Sequence, residues 1–302
     1  MVVGRPSSVF HSSRERSYLL MLAPILLFVL VVSIYPLINS FVLSLTDYRL
    51  TDPDQARPYV GLGNYVKASR DPAVLNTLLN TGIFVVGSVV SQTLIGLGLA
   101  VLMSAETRFM RVLRALAVLP MAIPPLVTGL IWRSLLNPTF GPVAYYLQQI
   151  GISTPRGFLG ELNTAMATVI LIDLWQWSPL LMVIFLAGLK SLPSEVNEAA
   201  FVDGASRWQT FVRITLPMLA PVLLIGILLR TMNAFKIFDV IYIGTGGGPG
   251  NATAVLNFYI YTVGLTFFDM GYAAALANIL LTMIGICCAF YIILLERQRR
   301  TQ

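Results

Sequence analysis

Six stretches of this chain, roughly 18 to 45, 74 to 104, 112 to 135, 163 to 189, 214 to 243 and 271 to 295, are apolar over a length that can cross a bilayer. A hydrocarbon core takes about 20 residues of helix. Backbone groups inside it have no water to pair with, so each run must satisfy its own hydrogen bonds as a helix. The sequence therefore predicts an all-α fold: a polytopic membrane protein with six transmembrane helices. The first run, Tyr18 to Thr46, carries no charge and is too long for a signal-peptide core, so it reads as a retained span. Pro24, Pro36, Pro120, Pro124, Pro125, Pro179, Pro217 and Pro221 lie near span ends or at places where packed helices can kink.

Orientation follows from the basic residues between the runs, because cytoplasmic loops are enriched in Lys and Arg. One side collects Arg5, Arg14, Arg16, Arg108, Arg111, Arg114, Lys190, Arg207, Arg213, Arg297, Arg299 and Arg300. The other holds Arg49, Arg57, Lys67, Arg70, Arg133 and Arg156. Acids are equally divided, with Glu15, Glu106, Glu195, Glu198, Asp203 and Glu296 on the first side, so the whole +6 net charge falls there. The first side is expected to be cytoplasmic. That places a tail over 1–17, a six-helix domain over 18–295 and a tail over 296–302, with both termini inside the cell.

Composition excludes several classes. Only 11% of residues are charged, against about a quarter in soluble domains, so the basic balance reflects orientation in a membrane and not nucleic-acid binding. The single histidine, His11, allows no His-based triad and no zinc motif. Cys287 and Cys288 are adjacent, which argues against a disulfide framework or a metal site. No GxxxxGK[ST] phosphate loop is present, and Gly246 to Gly248 lacks the Lys-Ser pair that would follow one, so it reads as a turn. The chain is thus expected to be no enzyme, with no cofactor of its own and any ATP and magnesium bound by a different subunit. After that turn, Val255 to Phe268 is aromatic and too short to span, and is expected to lie along the outer interface.

One polar segment, 193 to 217, sits between the fourth and fifth runs on the expected cytoplasmic side. It reads PSEVNEAAFVDGASRWQTFVRITLP. Val196, Ala199, Ala200, Phe201 and Val202 offer a small apolar surface beside the carboxylates of Glu195, Glu198 and Asp203, Gly204 breaks the helix, and Trp208, Phe211 and Val212 restart an amphipathic turn. Small residues would let such a helix seat in a partner's groove.

Glu198-Ala199-Ala200, then Gly204 after three residues, then Ile214-x-Leu216-Pro217 after nine more, resembles the EAA loop of the membrane permeases of ABC importers. The likeness covers nearly the whole chain. The run LAPILLFVLVVSIYPLINSFVLSLTDY, VGLGNY at Val60 to Tyr65, DGASRWQTFVRITLP and TGGGP at Thr245 to Pro249 are similar to the first permease of carbohydrate importers, the group that serves maltose, trehalose and glycerol phosphate. This resemblance implies a type I permease fold in a bacterial or archaeal cell membrane. It implies a cytoplasmic coupling helix, with Glu198, Ala199, Ala200, Asp203 and Gly204 docking on the ATPase. It further implies a second permease subunit, a cytoplasmic ATPase dimer and an extracytoplasmic sugar-binding protein as partners.

Intramembrane polar side chains are costly and mark pathways. Two faces stand out by helical spacing: Asp173, Gln176, Trp177 and Leu180 in the fourth run, and Arg230, Asn233 and Ile237 in the fifth. Indole rings beside carboxylates or amides suit sugars, and the resemblance to maltose-importer permeases implies that these two faces line the sugar site. Packing roles for Trp175 and Trp177, a neutralising pair of Asp173 with Arg230, and an i, i+3 pair of Lys236 with Asp239 stand beside that reading. Gly82, Gly87, Gly96 and Gly98 are expected at close helix contacts. The competing function is an ion-coupled secondary carrier in which Asp173 or Asp239 titrates.

Overall fold

The structure, a computed structural model, describes residues 21, 22, 24, 25, 27–52, 54, 57–152 and 154–301. The expected N-terminal tail with His11, Arg5, Arg14, Glu15 and Arg16, and the start of the first span at Tyr18, lie outside them. The described residues form helices and no sheet, with two isolated β-bridges, Thr46 to Tyr59 and Arg49 to Asp269. Five helices are long and apolar enough to cross a membrane. They are α1 (Leu27–Ser44), α3 (Pro72–Leu102), α7 (Ala165–Ser191), α9 (Arg207–Ala234) and α12 (Met270 onward). A bent pair, Arg108–Ala122 followed by Pro125–Leu135, makes the sixth. Its two helices are α4 (Arg108–Val118) and α5 (Pro125–Leu135). The shorter helices are α2 (Gly63–Arg70), α6 (Pro142–Gln149), α8 (Ser194–Val202), α10 (Asp239–Gly244) and α11 (Leu256–Tyr261).

The chain divides into two compact units, one of residues 1–66 and 263–278, the other of 67–262 and 279–302. In the first, α1 turns its apolar side chains outward, as a helix against acyl chains does: Leu27, Phe28, Ile38 and Phe41 are all more than half exposed. The VGLGNY stretch has a local task here. Asn64 is buried and donates to the carbonyls of Ser44 and Thr46, both at 2.9 Å, satisfying groups that the end of α1 leaves without helical partners. Ser44 in turn shares a 2.7 Å hydrogen bond with Tyr65, and the Arg57 guanidinium lies 4.3 Å over the Tyr48 ring.

In the second unit α3 and α7 pack along each other around Ala100, Leu181, Met182, Phe185 and Leu186. Helices in lipid gain little from the hydrophobic effect, so small residues that let backbones approach do much of the work. A Cβ at Gly96 would stand 2.8 Å from Leu181 Cβ, and one at Gly226 on α9 2.8 Å from the Phe185 ring. Gly87 is also tight, against Ile170 at 2.8 Å. Gly82 and Gly98, expected at similar contacts, have nothing within 4 Å of such a Cβ among the described residues.

The third span is not straight. Its two halves meet at 96°, because Ile123 and Pro124 are both held extended ahead of a proline and Pro125 starts the next helix. The fifth span is shorter than expected at its far end: α9 stops at Ala234, and the residues to 243 form a break and the separate helix α10. Lys236 sits in that break, so helical spacing to Asp239 does not apply, and no ion pair joins the two. The segment after the glycine-rich turn also departs from expectation. Val255 and Leu256 are fully buried, and the Leu256 N–H donates to Thr81 Oγ1 at 2.9 Å, so the segment plugs into protein at its start instead of lying along lipid. At the other end α12 runs on as helix past 295 to Thr301.

Candidate functional site

The segment between α7 and α9 folds as two helices joined by a glycine turn. α8 ends when Asp203 N–H bonds to Ala199 O (3.0 Å), Gly204 N–H to Phe201 O (3.1 Å) and Ala205 N–H to Ala200 O (2.9 Å). Gly204 has φ +81, the left-handed conformation that closes helices and that glycine adopts without strain. The next helix opens with a capping box: Ser206 accepts from the Gln209 N–H at 3.3 Å while the Gln209 side chain accepts from the Ser206 N–H at 2.9 Å. That helix is α9 itself, so Trp208 through Pro217 belong to the span and not to a free-standing second helix.

On α8 the expected apolar surface divides. Ala200 is buried and Val196 half-buried against the protein, whereas Glu195, Glu198, Ala199 and Val202 share the opposite, open face at i, i+3, i+4 and i+7. Asp203 is exposed at the rim of that face. The open face of α8 thus mixes carboxylates with a methyl and an isopropyl group.

At the same end, Lys190 in the last turn of α7 donates to Glu106 in the loop after α3, and Arg114 of α4 stands 3.8 Å from that carboxylate. Arg114 also donates to the carbonyls of Met103 (2.8 Å), which caps the end of α3, and of Ala105 (2.7 Å) in the loop beyond it. The opposite end of α3 is tied elsewhere, with Asn80 donating to the carbonyls of Asn251 (2.9 Å) and Ala254 (3.0 Å). The two ends of α3 are thus tied by different residues: Glu106, Arg114 and Lys190 beyond one end, Asn80 with Asn251 and Ala254 toward the other.

Between these ends lies a buried polar cluster. Asp173 of α7 and Arg230 of α9 are 1% and 2% exposed and form an ion pair. Gln92 of α3, fully buried, accepts from Arg230 Nε and donates to Asp173 Oδ2 (2.8 Å) and to its carbonyl (3.0 Å). The guanidinium also lies 5.9 Å from the Trp177 ring centroid, a cation–π distance. Gln176 donates to Ile123 O at 2.8 Å, where the break in the third span leaves that carbonyl without a helical partner.

Of the two predicted faces, α7 keeps Asp173 and Gln176 inside the protein and turns Trp177 and Leu180 to its half-buried flank. On α9 Arg230 is inside and Asn233 exposed. Ile237 does not join them: it lies beyond the end of α9, in the break, so the fifth-run face is two residues and not three. Trp175 stacks edge-on against Trp132 at 5.6 Å and 78° and serves packing between α5 and α7.

Residues 92–301 match the family model described as the binding-protein-dependent transport system inner membrane component. The chain belongs to that family. The trehalose/maltose transport system permease MalF of Thermococcus litoralis is 35% identical over 261 residues, which is 85% of this chain and 86% of the relative. The sulfoquinovosyl glycerol transport system permease SmoG of Agrobacterium fabrum is 32% identical over 90% of this chain and 88% of its own. In fold the chain resembles a subunit of a bacterial ABC transporter that imports alginate, with TM-score 0.82 at 21% identity over 96% and 99% of the two chains. The crystal structure of a bacterial alginate ABC transporter in complex with an alginate pentasaccharide-bound periplasmic protein gives TM-score 0.79 at 22% identity over 93% and 94%.

The protein is therefore a multi-pass membrane permease, a transport subunit, and the carrier reading is not favoured. The permease also contains a functional candidate that the two-face pattern missed, Gln92. Its signal was available: an amide near the centre of an otherwise apolar run is as costly there as Gln176.

Proposed function

We propose that this chain is a permease subunit of an ATP-driven importer of sugars or sugar derivatives, coupled to a cytoplasmic ATPase dimer through α8. The observation that carries the reading is the glycine-hinged turn. Glu198, Ala199 and Asp203 stand on an open face, while Ala200 and Gly204 fix that face to the start of α9, so a displacement of α8 is delivered directly to a membrane-spanning helix.

In this reading 193–217 is the docking segment of an 18–295 transmembrane domain, the end of α3 that carries Glu106 is cytoplasmic, and both tails, 1–17 and 296–302, are inside the cell. ATP and magnesium are held by the ATPase. A second permease completes the path and an external binding protein supplies the substrate. The names of the relatives support a carbohydrate. In this reading Trp177, Leu180 and Asn233, the more accessible of the expected path residues, face that path, with Ile237 at its edge and Gln176, Asp173 and Arg230 buried beside them. Indole and amide groups offer a sugar a ring face and paired hydrogen bonds.

The test is co-purification from native membranes. Wild-type chain is expected to carry an ATPase subunit with it, and Glu198→Lys and Gly204→Asp to lose it. A wild-type chain that purifies alone, or variants that retain the ATPase unchanged, would overturn the reading.

A further inference from the structure

We propose that Gln92, Asp173 and Arg230 form a mechanical linkage that makes α3, α7 and α9 move as one body when α8 is driven; the inference rests on the importer reading above. α9 is continuous from Arg207, beside the docking turn, to Ala234. Arg230 therefore sits about 35 Å along the same helix from the driven end, at 1.5 Å per residue.

The glycine contacts of α9 with α7 away from the cluster are smooth. Gly226 meets Phe185 and Leu181, and Gly188 meets Leu219 and Val222. Such contacts hold helices close but resist sliding weakly, because lipid competes for the same apolar surfaces. The cluster is different. Sliding α9 past α7 separates two opposite charges in a medium of low dielectric and leaves each without water. Sliding it past α3 strips Arg230 of Gln92, whose amide is also tied to both the side chain and the backbone of Asp173. One buried arginine thus ties three helices together, and because Gln92, Asp173 and Arg230 are all buried they act here as positioning residues.

The experiment uses the complete complex that co-purifies with this chain, in nanodiscs, with Cys287 and Cys288 replaced by Ser. Spin labels go on Val183 of α7 and Leu229 of α9, which are 45% and 44% exposed. Their separation is measured without nucleotide and trapped with ATP and vanadate. The test variant, Asp173→Leu with Arg230→Met, removes both charges together and so leaves no buried charge unpaired.

The expected result is a separation that stays constant in the labelled parent and shifts on nucleotide trapping in the double variant, which still assembles and hydrolyses ATP. A parent whose separation shifts would overturn the linkage. So would a double variant that assembles and holds the parent's constant distance, which would leave the pair a neutraliser of charge only. A double variant that fails to assemble would make the pair a folding device and overturn it too. Absence of any co-purifying ATPase would instead defeat the importer reading, a separate outcome.

Discussion

Lys190 and Glu106, 84 residues apart, meet across the ends of α7 and α3. The hydrogen bond from the Lys190 ammonium and then its charge hold the Glu106 carboxyl below its ordinary range against an opposing desolvation, with smaller help from the Arg114 and Arg111 charges. A carboxylate whose folded pKa is lowered adds stability at pH values above its unfolded pKa and loses it as pH falls through the folded one. Thermal unfolding in detergent is therefore expected to drop more steeply below about pH 4 in the wild type than in Glu106→Gln. The difference should shrink in high salt, because the pair is open to solvent. Parallel pH profiles for the two proteins would refute the assignment.

Gly204 separates backbone requirement from bulk. A Cβ there would meet nothing within 4 Å, so any penalty comes from φ +81 alone. Gly204→Ala is expected to cost about 1 kcal/mol or slightly more, and Gly204→Asn distinctly less, since asparagine tolerates the left-handed region. If the turn sets the aim of α8, retention of the ATPase subunit in pull-downs should follow the same order, glycine over asparagine over alanine. Equal retention in all three would separate the turn's geometry from docking.

Gly96 and Gly98 lie two residues apart on α3 and should behave oppositely. Alanine at Gly96 would press on Leu181 Cβ at 2.8 Å and on the Met182 backbone nitrogen at 3.2 Å, neither of which is a flexible tip. Overpacking of this kind costs roughly 1–3 kcal/mol. Gly98→Ala meets open space and should be neutral or stabilising by up to about 1 kcal/mol, the intrinsic helix preference of alanine. Melting temperatures of the two single variants decide the matter, and a silent Gly96→Ala would contradict the α3–α7 crossing.

The spans were legible in the chain because lipid demands length and apolarity, which a sequence displays directly. α3 at Pro72–Leu102 and α7 at Ala165–Ser191 lie within two residues of the runs 74–104 and 163–189 at each end. Breaks were harder. Pro124 and Pro125 were visible, but a 96° bend needs a neighbour to take the stranded Ile123 carbonyl, and that neighbour is Gln176, 53 residues away. The apolar run after α9 hid a break at Phe235 to Phe238 because hydrophobicity does not distinguish one long helix from two short ones, and Ile237 lost its helical register there. Asp173 and Arg230 could be paired from the rule that buried charges need partners. The choice of Gln92 as the third member depends on how α3 crosses α7, which spacing within one run does not encode.

Asp71 and Tyr259 give the last prediction, at the end of α3 opposite Glu106. Asp71 caps α3, accepting from the Ala73 N–H at 2.9 Å through Oδ1, and accepts from the Tyr259 hydroxyl at 3.2 Å through Oδ2. Burial, then the Asp71 charge and this hydrogen bond, push the Tyr259 phenol up to about 12. A group whose folded pKa is raised contributes stability below its unfolded pKa, near 10 for tyrosine, and loses it as pH climbs toward the folded value. Tyr259→Phe should cost about 0.5–1.5 kcal/mol at neutral pH, the worth of one hydrogen bond. Asp71→Ala, losing the cap as well, should cost about 0.5–2 kcal/mol for the cap alone. Because both variants remove the same Tyr259 contact, the double variant should cost little more than Asp71→Ala. Strict additivity of the two in urea unfolding would show that they do not interact.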